Sequence, residues 1–444
     1  MSILISLGAL MYLAYRGYSV LVLAPLLALL AVLLGGDTRL LAMYTQVFMT
    51  GLGGFLIKYF PLFLLGAIFG RLMSDSGAAD TIARAIVLRI GAHRAVMALV
   101  LSCAILTYGG VSVFVVAFAA YPVGAALFRE AGIPKRLIPG ALVLGSATFT
   151  MTALPGTPAI QNAIPMPYFG TDAFAAPGLG VLVGIIMFAG GMWWLTRRAR
   201  LARAAGEGYG HHHIELATPH TGNTAGDQAP NAQRVDGPSF LTAILPVALV
   251  IGLNLMFTRW IIPAMDSSYL AEPKFGAVTL NDVRGVWSLI AAIFAAIVVA
   301  IVLHWSRWRD LRQSVNEGTM GSLLPIFNTA SEVGYGSVIA SLAAFAVIRE
   351  AVVGFSPANP LVSEAIAVNI MAGITGSASG GLSIALNMLG NTYLELGNTA
   401  GISPQLLHRV ASVASGGLDS LPHNGAIITL LSICHLTHRE SYLD

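Results

Sequence analysis

Apolar runs separated by short charged clusters set the rhythm of the chain. Residues 2–15, 18–34, 51–73, 177–196, 239–258, 285–304 and 320–345 are almost wholly hydrophobic. A helix needs about 17 to 25 apolar residues to cross a hydrocarbon layer of about 30 Å, so all but the first are long enough. Four further apolar stretches are interrupted. Residues 95–128 carry TYGGVS and residues 361–397 carry TGSASGG, while 137–165 and 405–436 are each broken by a Pro/Gly segment. A helix broken inside lipid leaves amides that no water can satisfy, so the break must be buried in protein or line a polar cavity. The pattern predicts an all-α polytopic membrane protein with re-entrant helical hairpins at 95–128 and 361–397 and broken transmembrane helices at 137–165 and 405–436. The four breaks mark the expected site.

An internal repeat runs through this pattern. The offset that carries Gly51 onto Gly318 also carries Gly54 onto Gly321, Gly109 onto Gly376, Ser112 onto Ser379 and Leu154/Pro155 onto Leu421/Pro422. Duplicated halves of this kind are a mark of secondary transporters. The first half is expected over 1–196, with its repeat unit at about 18–165, and the second over 239–444, with its repeat at about 285–436. Residues 197–238 join them. This segment has no apolar periodicity and reads as a flexible cytoplasmic linker. Its His211, His212 and His213 lack acidic or Cys partners at ligand spacing and read as a solvated tract, so no metal site is expected.

Composition and charge sharpen the picture. The chain is 56% hydrophobic and 10% charged, against about 25% charged in soluble domains, and its mean hydropathy is +0.76. A net charge of +3 is what basic cytoplasmic loops produce and is no argument for nucleic acid. Cys103 and Cys434 both sit in apolar segments and read as packing residues. The N-terminus shows no clear cleavable leader and is expected to stay in the protein.

Basic residues thread the spans. With loop 74–94 (Arg84, Arg89, Arg94) inside, loop 129–136 (Arg129, Lys135, Arg136) is also inside only if 95–128 enters and returns. Residues 166–176 have no Lys or Arg and fall outside, whereas 197–238 and 305–319 fall inside. The second hairpin then enters from the outer side, and the halves have opposite orientation. That is an inverted-topology repeat.

Candidate chemistry gathers at the breaks. In SGGLDSLPHNGAIITLL, at 415–431, Asp419 and His423 are ionisable groups at membrane depth, costly enough to suggest a role in binding or in proton coupling. The amides around Ser420 to Gly425, Asn424 among them, with the positive end of the next helix, offer a carboxylate cradle. The first-half counterpart offers only neutral donors: Thr157, Gln161 and Asn162. The hairpin tips add Gly109, Gly110, Ser112, Thr375, Ser377 and Ser379 as substrate-binding candidates. Ser and Gly at such places also serve close helix packing. Glu332, in NTASEVGYG beside Asn328 and Tyr335, is either a second proton site or the partner of a buried cation. Lys58, in the corresponding first-half helix, either neutralises it or snorkels.

SGGLDSLPHNGAIITLL and NTASEVGYG are also the points at which the sequence most specifically resembles the gluconate permease family, proton symporters within the ion transporter superfamily. The likeness covers nearly the whole chain. Both stretches are closer to a subgroup associated with 3-hydroxybutyrate and similar small carboxylates than to gluconate permeases proper. The resemblance implies two hairpins and two broken helices around a central site, a scaffold region for homodimer contact and a mobile transport region.

The resulting expectation is a proton-coupled symporter of a small hydroxy- or keto-monocarboxylate, 3-hydroxybutyrate-like or gluconate-like. It would lie in a bacterial inner membrane, C-terminus cytoplasmic, with no cofactor. Na⁺ coupling is the alternative, since the same oxygens suit that ion. An intramembrane hydrolase using Asp419 and His423 would lack any nucleophile motif or HExxH signature, and a passive channel gives no reason for mid-span breaks.

Overall fold

The structure is a computed structural model and describes residues 2–16, 18–210, 237–354, 356, 359–422 and 424–444. Every regular element among them is helical. The opening runs form α1 (Ser2–Tyr15) and α2 (Val20–Leu34), joined by a 2.7 Å hydrogen bond from Ser6 Oγ to the Leu27 carbonyl. The next begins as α3 (Leu40–Ala42), passes through a π-helical segment at Met43–Phe48 and continues as α4 (Met49–Asp75).

The region expected as loop 74–94 is instead mostly helix. Here α5 (Ala78–Ile90) buries Ala79, Ile82, Ala83 and Ile86 along one face and leaves Arg84 and Arg89 off it. The apolar residues recur at helical spacing, and that periodicity outweighs the charge of the segment. A bend of 98° at Gly91 separates α5 from the next helix.

That helix, α6 (Ala95–Tyr108), turns at Gly109–Ser112 and packs back against α7 (Val113–Glu130). The pair is tight: a Cβ on Gly124 would lie 2.9 Å from the Leu99 side chain. Residues 137–165 are broken, with α8 (Ile138–Ser146), α9 (Phe149–Thr152) and α10 (Ile160–Ala163) separated by irregular backbone; α11 (Met166–Phe169) and α12 (Pro177–Ala204) follow. Pro155 and Pro158 lack the N–H a continuous helix needs.

The second half comprises α13 (Phe240–Met256), α14 (Leu280–Leu303), α15 (Leu311–Ser341), α16 (Phe345–Gly354) and the helical hairpin α17 (Pro360–Thr375) and α18 (Ala378–Thr399). Then α19 (Pro404–Ala414) gives way to a 3₁₀ turn at Leu418–Ser420, followed by α20 (Gly425–Ile433) and α21 (His438–Ser441). In α18, Gly381 permits the hairpin's closest approach, since a Cβ there would collide with the backbone of Ala372. Gly376, at φ +63°, turns the chain in the left-handed region that favours glycine.

Among the described residues five segments, 40–75, 113–130, 177–204, 240–264 and 280–303, are long and apolar enough to cross a bilayer. At the centre of the molecule α4 and α15 run antiparallel. Arg71 bridges Glu317 at 2.5 Å at one end. At the other a Cβ on Gly334 would come within 2.8 Å of the Phe48 carbonyl. Small residues let the two backbones approach, as in membrane helix pairs generally. Residues 129–136, the end of α12 and the C-terminus meet on one side, where Arg136 and Arg198 both pair with Asp444.

Candidate functional site

The tip of the second hairpin gathers most of the second-half candidates. Ser377 caps α18, its Oγ accepting from Gly380 N–H at 3.1 Å. Ser379 Oγ lies 3.5 Å from both Ser377 Oγ and Thr329 Oγ1 of α15. Glu332, one turn further along α15, is 3% exposed. Its carboxylate fills the space that Gly380 leaves free, because a Cβ at Gly380 would run into it and lie 3.0 Å from Ser377 Oγ. Glu332 Oε2 has no hydrogen-bond partner among the described residues.

Asp419 approaches the same helix end from the break in the last helix. The Ala378 N–H faces its carboxylate, which lies within electrostatic range of Glu332. Asn424 Nδ2 donates to Asp419 Oδ1, while Asn424 Oδ1 accepts from Ala426 and Ile427 N–H at 2.6 and 3.1 Å. The expected carboxylate cradle at the start of α20 is thus already occupied by the protein's own amide. The helix end that Asp419 and Glu332 share is that of α18. Two carboxylates and a hydroxyl converge there, beside amides carrying the positive end of a helix dipole. His423 falls outside the described residues, as do His211, His212 and His213. Asp419 lies in the 3₁₀ turn, so no helix face joins it to position 423. Ser420 is exposed and its carbonyl accepts from Tyr442 at 3.0 Å. Thr375 Oγ1 is spent on the Met371 carbonyl at 2.9 Å.

The first-half candidates serve a different arrangement. Gly109 and Gly110 let the first hairpin tip approach α13 and the first break: added Cβ atoms would press on Val247 and on Pro158. Ser112 N–H faces Gly70 of α4, at 3.5 Å from a Cβ placed there. Thr157 is fully buried and accepts a long, 3.4 Å bond from Ala159 N–H. Gln161 Oε1 is buried without a partner among the described residues.

Asn162 is saturated. Its amide donates to the Thr157 and Ala173 carbonyls at 2.9 and 3.0 Å, and its Oδ1 accepts from Arg409 at 3.0 Å beside His408 Nε2 at 3.2 Å. Reading it as a substrate ligand leaves it no free hydrogen-bonding position. Arg409 and His408, passed over in the sequence, are both 0% exposed. Arg409 spends its five N–H donors on the carbonyls of Thr152, Ala173 and Ala175 and on Asn162. It thereby clamps the second break onto the first. The detectable signal was ionisable residues, HR, inside an apolar run. The same signal marks Glu364 in α17, 0% exposed and with both carboxylate oxygens unpartnered among the described residues.

Lys58 does not neutralise Glu332. Among the described residues it has no carboxylate within ion-pair distance, and its ammonium lies 5.4 Å from the centre of the Tyr168 ring. Nor do the described residues contain any group of three or more His, Cys, Asp and Glu side chains suited to a metal ion.

Comparison with known proteins agrees with this architecture. The model of the family described as GntP family permease matches residues 1–320. An uncharacterized transporter, YxjC, of Bacillus subtilis (strain 168) is 44% identical over 448 residues, covering 100% of this chain and 94% of its own. An uncharacterized transporter of Haemophilus influenzae is 25% identical over 372 residues, covering 81% of this chain and 74% of its own. The crystal structure of the YdaH transporter of Alcanivorax borkumensis superposes with a TM-score of 0.51 at 18% identity, covering 87% of this chain and 80% of that one. It supports the fold alone.

Proposed function

Since the chain belongs to the GntP permease family, and is a multi-pass membrane transporter rather than an enzyme, we propose that it is a proton-coupled symporter of a small hydroxy- or keto-monocarboxylate. The observation that carries this reading is the convergence of Glu332 and Asp419 on the N-terminal end of α18, with no cation paired to either among the described residues. A buried and a half-buried carboxylate within electrostatic range of each other are stabilised by taking up a proton or a cation. While both are charged they repel an incoming carboxylate. Protonation removes that repulsion and turns Ser377 and the α18 amides into a site an anion can use.

In this reading the two hairpins are re-entrant and the two broken helices cross the membrane, all as elements of an inverted repeat, and the protein resides in the inner membrane of a bacterium with its C-terminus inside. The gathering of Arg129, Arg136, Arg198 and Arg203 near the C-terminus supports that sidedness by the positive-inside rule. Sodium is the second reading. It is favoured by one observation, that among the described residues the cluster presents side-chain oxygens, from Glu332, Ser377 and Asp419.

Uptake of labelled 3-hydroxybutyrate and gluconate into proteoliposomes under an imposed pH or Na⁺ gradient tests both. Accumulation driven by an inward proton gradient, abolished in Glu332→Gln or Asp419→Asn while substrate exchange persists, supports proton coupling. Accumulation that follows Na⁺ and ignores pH supports the second reading. Full proton-driven uptake in both variants overturns the assignment of this cluster.

A further inference from the structure

A cavity of about 370 Å³ opens between α4, α11, α15 and α18, and its polar lining includes Gln46, Thr50, Lys58, Tyr168, Ser337 and Asn387. Lys58 is its one charged lining residue. It stands near the middle of the continuous 36-residue helix from Leu40 to Asp75, about 25 Å from either end at 1.5 Å per residue. A hydrocarbon layer of about 30 Å centred on this helix would put Lys58 about 15 Å from either interface, still beyond a lysine side chain's reach. An ammonium at that depth must therefore be paired or face water, and no carboxylate of the described residues pairs with it. The remaining polar groups are neutral and able to donate, among them Asn387, whose Nδ2 donates to Ser337 Oγ at 2.9 Å. The cavity is thus a small, positively charged, hydrogen-bonding cleft in which Gln46, Thr50, Lys58 and Asn387 are all exposed.

Its position relative to the acidic cluster is fixed by two helices. Ser337 lies five residues beyond Glu332 on α15, and Asn387 seven beyond Gly380 on α18, a separation of about 8 to 10 Å along either axis. A small organic acid fits the volume, and its carboxylate finds there the charge of opposite sign that the acidic cluster withholds.

We propose that this cavity is the capture site for the carboxylate group of a small organic anion, with Lys58 as its counter-ion, one step ahead of the Glu332/Asp419 cluster. The inference rests on the carboxylate reading above, and its test separates the two. A single cysteine at Thr50, in a background with Cys103 and Cys434 replaced by alanine, is exposed to methanethiosulfonate reagents bearing either an anionic sulfonate or a cationic trimethylammonium group. Lys58 should favour the anionic reagent by about ten-fold relative to Lys58→Gln, the size of effect a charged cleft exerts on local ion concentration. No modification at all, or a ratio indifferent to Lys58, overturns the proposal.

In proteoliposomes offered lactate, 3-hydroxybutyrate and gluconate, Lys58→Gln should raise KM at least about ten-fold. Lys58→Arg should restore it, and the dependence on the proton gradient should persist in all three proteins. An unchanged KM in Lys58→Gln overturns the capture role. Transport of none of the acids by the wild type, with the Lys58-dependent reagent preference intact, instead overturns the carboxylate reading and leaves the anion-selective cavity standing.

Discussion

Arg409 donates from Nη1 to Oδ1 of Asn162 over 3.0 Å, and so ties the helix break of the second half to that of the first. The same guanidinium is the donor to the Ala175 carbonyl and shares those of Thr152 and Ala173 with Ser412, Asn162 and the Gly156 N–H. A buried charge with no carboxylate at ion-pair distance among the described residues is tolerated because every donor finds an oxygen.

Removing that clamp should unfold the protein's centre more than its surface. Arg409→Met leaves the buried Ala175 carbonyl without a donor among the described residues and takes one partner each from Thr152, Ala173 and Asn162, at about 1 to 3 kcal/mol for the group left unsatisfied, and Arg409→Lys cannot replace five fixed donors. Both variants should melt well below wild type in detergent, by differential scanning fluorimetry. Asn162→Ala should be milder, since it leaves the guanidinium its carbonyl partners. Equal melting temperatures for wild type and Arg409→Met would show the clamp to be idle.

Gly380→Ala places a methyl where the Glu332 carboxylate sits. Either α18 moves off α15 or Glu332 leaves the cluster; overpacking of this kind costs about 1 to 3 kcal/mol. Uptake in proteoliposomes should fall by about ten-fold or more, as a perturbation of that size implies. Gly321→Ala on α15 meets open space and should transport like wild type. Normal uptake in Gly380→Ala would separate Glu332 from function.

The threading proposal places Arg89 and Arg129 on one side of the membrane. Arg89 lies over the Phe240 ring and Arg129 over Tyr209. Single cysteines at these two positions, in a cysteine-free background, should both resist a membrane-impermeant thiol reagent applied to intact cells and both react after permeabilisation. Labelling of one and not the other from outside rules the re-entrant first hairpin out.

One ion pair outside the spans titrates in a testable range. Arg136 pairs with Glu207 at 2.8 Å and by that hydrogen bond holds the Glu207 carboxyl below the usual glutamate range. A carboxylate whose pKa is lower in the folded state stabilises the fold above its unfolded value, about 4.3, and loses that contribution as pH falls through the folded value. Glu207→Gln should therefore melt slightly below wild type at pH 7, and the difference should close between pH 4 and the folded pKa below it. Glu207 is partly exposed, so 0.5 M salt should also shrink the difference at pH 7. A gap that persists unchanged at pH 3 refutes the ion-pair origin.

Hydrophobic length and interruption made most of this architecture legible in the sequence. The runs at 2–15, 18–34, 51–73, 177–196 and 285–304 correspond closely to α1, α2, α4, α12 and α14, because lipid demands long uninterrupted apolar helices and punishes every break. The interruptions at Gly109–Ser112, Gly376–Ser377 and 415–424 are where the helices stop. Helix α5 was obscured by its arginines, although its apolar positions recur at helical spacing.

Site chemistry was legible as residue types and not as partnerships. Asp419, Glu332 and Ser377 stood out because charge and hydroxyls at membrane depth are costly, but their meeting at the end of α18 required three segments, 332, 377 and 419, to be brought together from far apart in the chain. The tertiary structure alone decided that Asn162 is consumed by Arg409, that Asn424 caps its own helix, and that Lys58 faces a cavity rather than Glu332. Local sequence sets which groups are expensive to bury, through hydration and helix geometry. Which partner compensates each group depends on long-range packing, and no periodicity along the chain encodes that.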